Sequence, residues 1–268
     1  MGKNFFFFVF FLLLSACSTG APEKPVVVEK MQPYKNIDTI NFERDVPIFM
    51  FHYVKDVSPE EKEKNTLHYR LSYSPEKFEN MLRFFEKNNI TPITFYELKD
   101  VIEKKKKMPK NPVILTFDDG YIDHYTNAFR ILENFQMKGV FFVVSGNPGK
   151  KWYTTWEDIE KMSNAGHEIG SHTVSHADLT SLSDAMLTQE LLHSKQEIEK
   201  HIHKSVISFC YPSGRHDERV VREVKKYYTF ARTTRYGKHF SVQKRFTLPT
   251  LRIQVHTGEK QLREWLLK

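Results

Sequence analysis

The 268-residue sequence predicts an α/β fold of parallel strands with outer helices, closing as a distorted (β/α) barrel. Three observations lead there. From residue 46 onward, short apolar runs of β type alternate with amphipathic segments, the order that builds β/α units. The units are numerous enough to close a barrel. Residues able to do chemistry cluster just after the apolar runs, and parallel α/β folds place their sites at the C-terminal ends of strands.

The elements follow in order. VPIFMFHYV (46–54) is a buried strand, followed by a charged loop. Ser74 caps the next helix, with Pro75 at its first position and Phe78, Leu82 and Phe85 at helical spacing. ITFYELKDVIEK holds a short strand end and a helix capped by Thr94. The basic run Lys104–Lys107 beyond it reads as a solvated helix end. PVILTF (112–117) is a strand, and YIDHYTNAFRILENFQ is one helix with Phe129, Leu132 and Phe135 on a single face. GVFFVV (139–144) is a strand, and TWEDIEKMSNAG a helix closed by Gly166. HEIGSH is a strand, and residues 183–203 form a long helix capped by Ser183. SVISFCYP and YTFART are strands flanking the helix DERVVREVKKY. LRIQVH is the last strand and EKQLREWLLK the last helix.

The N-terminus reads differently. Lys3 precedes an apolar run, Phe5–Leu14, which has the length of a signal-peptide core rather than a membrane span. Leu14-Ser15-Ala16-Cys17 resembles a bacterial lipobox, so residues 1–16 are expected to be a signal peptide and Cys17 the lipidated residue. Residues 17–45 are polar, contain proline and lack a clear period, and are expected to form a flexible tether to a domain spanning 46–268. The expected location is therefore lipid-anchored at a cell envelope, and Ser18 is compatible with outer-membrane sorting. The only other cysteine is Cys210, so no structural disulfide is expected. The net charge of +7 suits a polyanionic surface. No interleaved basic and aromatic motif points to nucleic acid.

VILTFDDGY (113–121) raises the central question. A buried strand ends on Asp118 and Asp119 side by side, which is costly unless a cation or a shared proton holds them. SHTVSH places His172 and His176 four residues apart, and on a helical turn both rings would face one way. Two histidines and a carboxylate form a common divalent-metal set.

TFDDG (116–120) with SHTVSH resembles the first two motifs of the NodB-type polysaccharide deacetylases, carbohydrate esterase family 4. VPIFMFHYV, SPEKFENMLRFFEKNNITPITFYEL, TWEDIEKMSNAGHEIGSH and SFCYPSGRHD follow the order of its poly-N-acetylglucosamine deacetylase branch. The resemblance covers roughly residues 46 to 255. It implies that Asp119, His172 and His176 bind a divalent metal, with zinc the first choice. Asp118 would be the general base toward the attacking water, and an N-acetylhexosamine polymer the substrate. It also implies that Tyr211, Pro212, Ser213 and Gly214 border the substrate, with the Ser213 amide donating to the oxyanion. At the third motif Cys210 stands where the family has an arginine that orients the catalytic carboxylate, and Ser213 where it has a tyrosine. Arg215 is the nearest arginine in sequence that could replace the missing one.

For the general acid, His52 and His256 are the two candidates, with His52 preferred. Trp156 is a candidate sugar platform or a helix anchor, and Trp152 and Tyr153 are further candidate walls. Cys210 is expected to be a buried structural residue, because nothing near it in sequence activates it. An O-acetyl esterase and a non-catalytic carbohydrate-binding protein remain open beside the N-deacetylase. The sequence sets no oligomeric state.

Overall fold

The computed structural model describes Ile37 and residues 39–267. The expected signal peptide, the lipidated Cys17 and most of the tether lie outside the described residues. Ten strands occur among the described residues: β1 (Glu43–Asp45), β2 (Ile48–Phe51), β3 (Ile90–Pro92), β4 (Asn111–Phe117), β5 (Val140–Val143), β6 (Glu168–Ser171), β7 (Ser208–Cys210), β8 (Phe230–Tyr236), β9 (His239–Ser241) and β10 (Leu248–Arg252). Nine α-helices accompany them: α1 (Pro59–Glu63), α2 (Leu67–Leu71), α3 (Pro75–Lys87), α4 (Phe95–Ile102), α5 (Arg130–Asn134), α6 (Trp156–Asn164), α7 (Asp184–Ile202), α8 (Glu218–Val224) and α9 (Glu259–Leu266).

Strands β2, β10, β8, β7, β6, β5 and β4 are neighbours in that order and parallel throughout. β4 also pairs with β2, Ile48 opposite Ile114 through Phe51 opposite Phe117. That contact closes a seven-stranded barrel, as expected from the β/α alternation. β3 pairs with the first half of β4, Ile90 opposite Asn111.

Period-two alternation sorts the side chains. On β4, Val113, Leu115 and Phe117 join the core beneath the helices, where Phe117 stacks between Phe51 at 5.0 Å and Phe141 at 4.8 Å. The intervening Ile114 belongs to a second cluster with Ile48, Phe142, Cys210, Phe230 and Leu248, which fills the barrel. Asp118 continues this inward set. Phe95, the first residue of α4, stacks on Phe230 at 5.4 Å and plugs one end. The helix starts follow their caps: Ser74, Thr94, Thr155 and Ser183 each accept an amide of the first turn.

Several local expectations change. The chain is already ordered before residue 46: β1 pairs antiparallel with β9, and Ile37 is buried. The charged loop after β2 contains α1 and α2, each set by a hydroxyl cap, Ser58 and Thr66. The single helix predicted after Asp119 divides into a π-helical turn, His124–Phe129, and the short α5. The wider turn presents side chains to the backbone after β2. Asp123 accepts the Val54 amide at 2.5 Å, Asn127 donates to the Val54 carbonyl, and His124 reaches the His52 carbonyl. The last strand starts three residues before LRIQVH and ends at Arg252, because Leu248 and Thr250 pair with β8 and Leu251 and Arg252 with β2. Lys104–Lys107 is exposed, as expected. No helix among the described residues is long and apolar enough to cross a membrane.

Glu168 opens β6 fully buried, accepting from the Ser208 hydroxyl at 2.6 Å and the Tyr96 amide at 3.1 Å. Burial pushes its carboxyl up to about 7. The unfolded chain releases that proton near pH ~4 and the folded protein near 7, so the contribution is complete in acid and lost as pH rises through 7. Thermal unfolding should show wild-type stability falling by roughly 3–4 kcal/mol across this window, and Glu168→Gln should flatten the slope. Equal slopes in the two proteins would refute the assignment.

Candidate functional site

The strand ends of β2, β4, β6 and β7 converge on the two adjacent aspartates. Asp119 takes φ 78° and Gly120 φ 77°, so the chain turns sharply after β4 and the two carboxylates part. Asp118 stays inside the barrel, 3% exposed, while Asp119 faces the mouth. The Gly120 carbonyl accepts both the amide and the hydroxyl of Thr154 at 3.0 Å, which fastens the turn to the loop before α6.

Asp119 Oδ1 lies 3.4 Å from His172 Nε2 and 3.5 Å from His176 Nε2. Two ligands about 2.1 Å from one tetrahedral ion stand about 3.4 Å apart, so this spacing fits a shared cation. His172 Nδ1 donates to the Cys210 carbonyl at 2.7 Å, which leaves Nε2 as the acceptor nitrogen a metal requires. Burial alone would raise the Asp119 carboxyl. The imidazoles of His172, His52 and His176 around it outweigh burial and hold the group well below the usual carboxylate range.

The histidine segment is not the helical turn the spacing suggested. It is a loop with Thr173 at φ 68° and His176 at φ 62°. Glu190 of α7 takes its donors instead: the amides of Val174 and Ser175 at 2.8 and 2.9 Å and the Ser175 hydroxyl at 2.6 Å. Thr173 Oγ1 accepts the His176 amide at 2.9 Å. Glu190 thus sets where His176 points, and no spacing in the sequence singles it out.

Asp118, His172 and Cys210 form a second group whose potential ligand atoms lie within 4.8 Å of one another. This group is the poorer cation site. Burial, then the nearby Asp119 charge, pushes the Cys210 thiol well above its ordinary value. Asp118 already has a cation: the fully buried Arg232 of β8 donates Nη2 to Asp118 Oδ1. Arg232 is the site residue that sequence reasoning missed, since it sits inside an unremarkable strand pattern. Arg215 does not replace the missing arginine, because it is exposed and pairs with Asp178 at 2.5 Å.

The remaining candidates divide. His52 joins the site: burial draws its imidazole down to about 3, and Asp119, Arg232, Arg252 and His172 are the charges around it. His256 does not join; it is exposed and meets the Tyr69 ring edge-on at 6.1 Å. Trp156 stacks on His201 at 4.1 Å and anchors α6 to α7 rather than lining the mouth. Tyr211 is a core residue whose hydroxyl donates to the Phe246 carbonyl at 2.9 Å. Pro212 is buried, Ser213 is exposed at φ 54°, and Gly214, φ 72°, abuts Thr234 so closely that any Cβ would collide with it. Tyr153, one of the candidate walls, stacks on Tyr121, which in turn meets Tyr53, with ring centroids 5.3 and 4.4 Å apart. Trp152 stands 67% exposed beside them in sequence.

Residues 105–230 match the family model described as polysaccharide deacetylase. The chain carries a polysaccharide deacetylase domain. Its barrel superposes on the Streptococcus pyogenes deacetylase PplD, solved in complex with acetate. The TM-score is 0.78 at 26% identity, over 85% of this chain and 100% of that one. YxkH of Bacillus subtilis (strain 168), named for the same family, is 27% identical over 209 residues, 78% of this chain and 71% of its own. A poly-beta-1,6-N-acetyl-D-glucosamine N-deacetylase of Staphylococcus aureus (strain MRSA252) is 25% identical over 169 residues, 58% of either chain. The matched segment of the deacetylase domain contains both aspartates, both histidines and the Cys210–Gly214 turn, and ends two residues before Arg232.

Zinc titration distinguishes the two donor groups. The protein should bind one equivalent, and Asp119→Asn or His176→Ala should weaken it by at least about tenfold. Cys210→Ala should leave affinity unchanged. The reverse pattern would move the ion to the inner group.

Proposed function

We propose that this protein is a metal-dependent hydrolase that removes N-acetyl groups from N-acetylhexosamine units of a cell-envelope or extracellular polysaccharide. The observation that carries the reading is the division of labour at the end of β4. Asp119 converges with His172 and His176, while Asp118 is held apart by Arg232. A divalent cation on the first three, zinc by the nature of its donors, would act as a Lewis acid and lower the pKa of water.

The chain supplies the rest. Asp118 takes the proton of the attacking water as its oxygen closes on the acetyl carbon. The turn after β7 offers the Ser213 amide to the developing oxyanion. Its Tyr211, Gly214 and Arg215 amides are already bonded to the Arg232, Tyr211 and Pro212 carbonyls. When the C–N bond breaks, acetate departs and the amine nitrogen takes a proton. Asp118 then carries one and returns it to the nitrogen. His52, which burial keeps neutral, has no acidic proton of its own to give and would only relay one that it first accepts, which counts against it as the general acid. Tyr53, Tyr121 and Tyr153 give sugar rings a flat apolar wall with polar edges.

The names of the similar proteins support the substrate class. One relative is a poly-beta-1,6-N-acetyl-D-glucosamine deacetylase, and one similar structure holds acetate. The lipobox at Cys17 and the net charge of +7 support a lipid anchor at the envelope, close to such a polymer.

Acetate release from N-acetylglucosamine oligomers by the full chain is the test. Release should stop on chelation, return with zinc, and fall by about 10³-fold in Asp118→Asn. Release from O-acetylated xylan alone would make the protein an esterase. A folded, zinc-loaded protein that releases acetate from neither would leave the carbohydrate-binding reading.

A further inference from the structure

Arg232 is the largest fully buried side chain among the described residues, and its position is costly. Only its Nη2 is paired, on Asp118, while Nε and Nη1 have no hydrogen-bond partner. A second guanidinium, Arg252, lies near enough to repel it. Beneath it is the face of Phe142, 5.0 Å from the guanidinium carbon. A buried pair with two unpaired nitrogens is a poor stabiliser compared with hydrocarbon of the same volume. The placement needs another reason.

Register supplies one. Arg232 on β8 and Cys210 on β7 are direct cross-strand partners. Parallel partners point to the same side of the sheet, and here both reach Asp118. Cys210 Sγ lies 3.8 Å from Oδ2, and Arg232 holds Oδ1. One carboxylate therefore has two neighbouring positions from which a guanidinium can grip it, and the cation stands on β8. The grip has a specific target. A carboxylate oxygen of Asp118 lies within 4.8 Å of a ring nitrogen of His172, which also belongs to the Asp119 group. An unrestrained Asp118 would swing onto the same ion and fill the position that water needs.

We propose that Arg232 is a positioning residue that holds Asp118 out of the coordination sphere of an ion bound by Asp119, His172 and His176, keeping that carboxylate available as a base. The idea rests on the deacetylase reading for its catalytic consequence, but not for its coordination consequence.

The test uses the full chain loaded with Co²⁺ in place of zinc, together with acetate release by the zinc form. In Arg232→Met, Asp118 joins the ion. The visible cobalt absorption should fall by about half or more as the coordination number rises. The kcat should drop about 100-fold with KM within twofold. Adding Asp118→Asn to Arg232→Met should restore the wild-type spectrum. The exchange Cys210→Arg with Arg232→Cys returns a guanidinium to Asp118 from the neighbouring strand, and should restore the spectrum and most of kcat. An unchanged spectrum in folded Arg232→Met would overturn the proposal. So would a change that persists without the Asp118 carboxylate, which would make Arg232 merely structural. If Arg232→Met does not fold, Arg232→Lys and the exchanged pair decide by the same spectra, with a perturbed spectrum in the exchanged pair counting against the proposal. Failure of the wild type to release acetate would overturn the deacetylase reading, while the cobalt spectra would still decide the role of Arg232.

Discussion

Two carboxylates on consecutive residues at a buried strand end repel each other and lose hydration together, so they persist only if each has its own source of positive charge. In this protein the backbone resolves the conflict. Left-handed Asp119 and Gly120 turn the chain so that one carboxylate faces the histidines at the mouth and the other faces a guanidinium inside the barrel. The neighbouring features serve that separation. The Thr154 clasp fixes the turn, and Glu190 fixes the histidine loop. The Cys210 carbonyl fixes the tautomer of His172.

The barrel makes this separation possible. Closing β4 onto β2 and surrounding both with parallel neighbours brings strand ends far apart in sequence onto one ring. Phe117 faces the helix layer and Asp118 the interior because the period is two, so the apolar stacking of Phe51, Phe117 and Phe141 sets the direction of the carboxylate that follows. A one-residue slip on β4 would exchange Asp118 and Phe117 and destroy both the core and the site.

Much of this was legible along the chain. Apolar runs, caps and their alternation are local signals, and they yielded the barrel and most of its helices. Asp118, Asp119, His172 and His176 stood out because their residue types and strand-end positions combine into one chemistry. Other features left no local mark. The π-helical turn at His124 depends on backbone bonds to Val54 and His52, some seventy positions away. The short β1 and β9 strands exist only as each other's partners. Trp156 and Tyr211 had the composition of a sugar-binding surface, but they are occupied by His201 and by the Phe246 carbonyl.

The sequence by itself determined the fold class, the strand ends that carry chemistry and the donor types gathered there, because periodicity and residue chemistry act over a few positions. Tertiary structure alone decided which charge answers which. The third motif lacks an arginine, and the nearest one in sequence, Arg215, goes to Asp178 at the surface. The cation that meets Asp118 comes from Arg232, 114 residues further along the chain, through the pairing of β7 with β8. Burial makes that pairing obligatory, since a charge in the barrel interior must find whatever partner the strand register sets beside it, however distant in sequence.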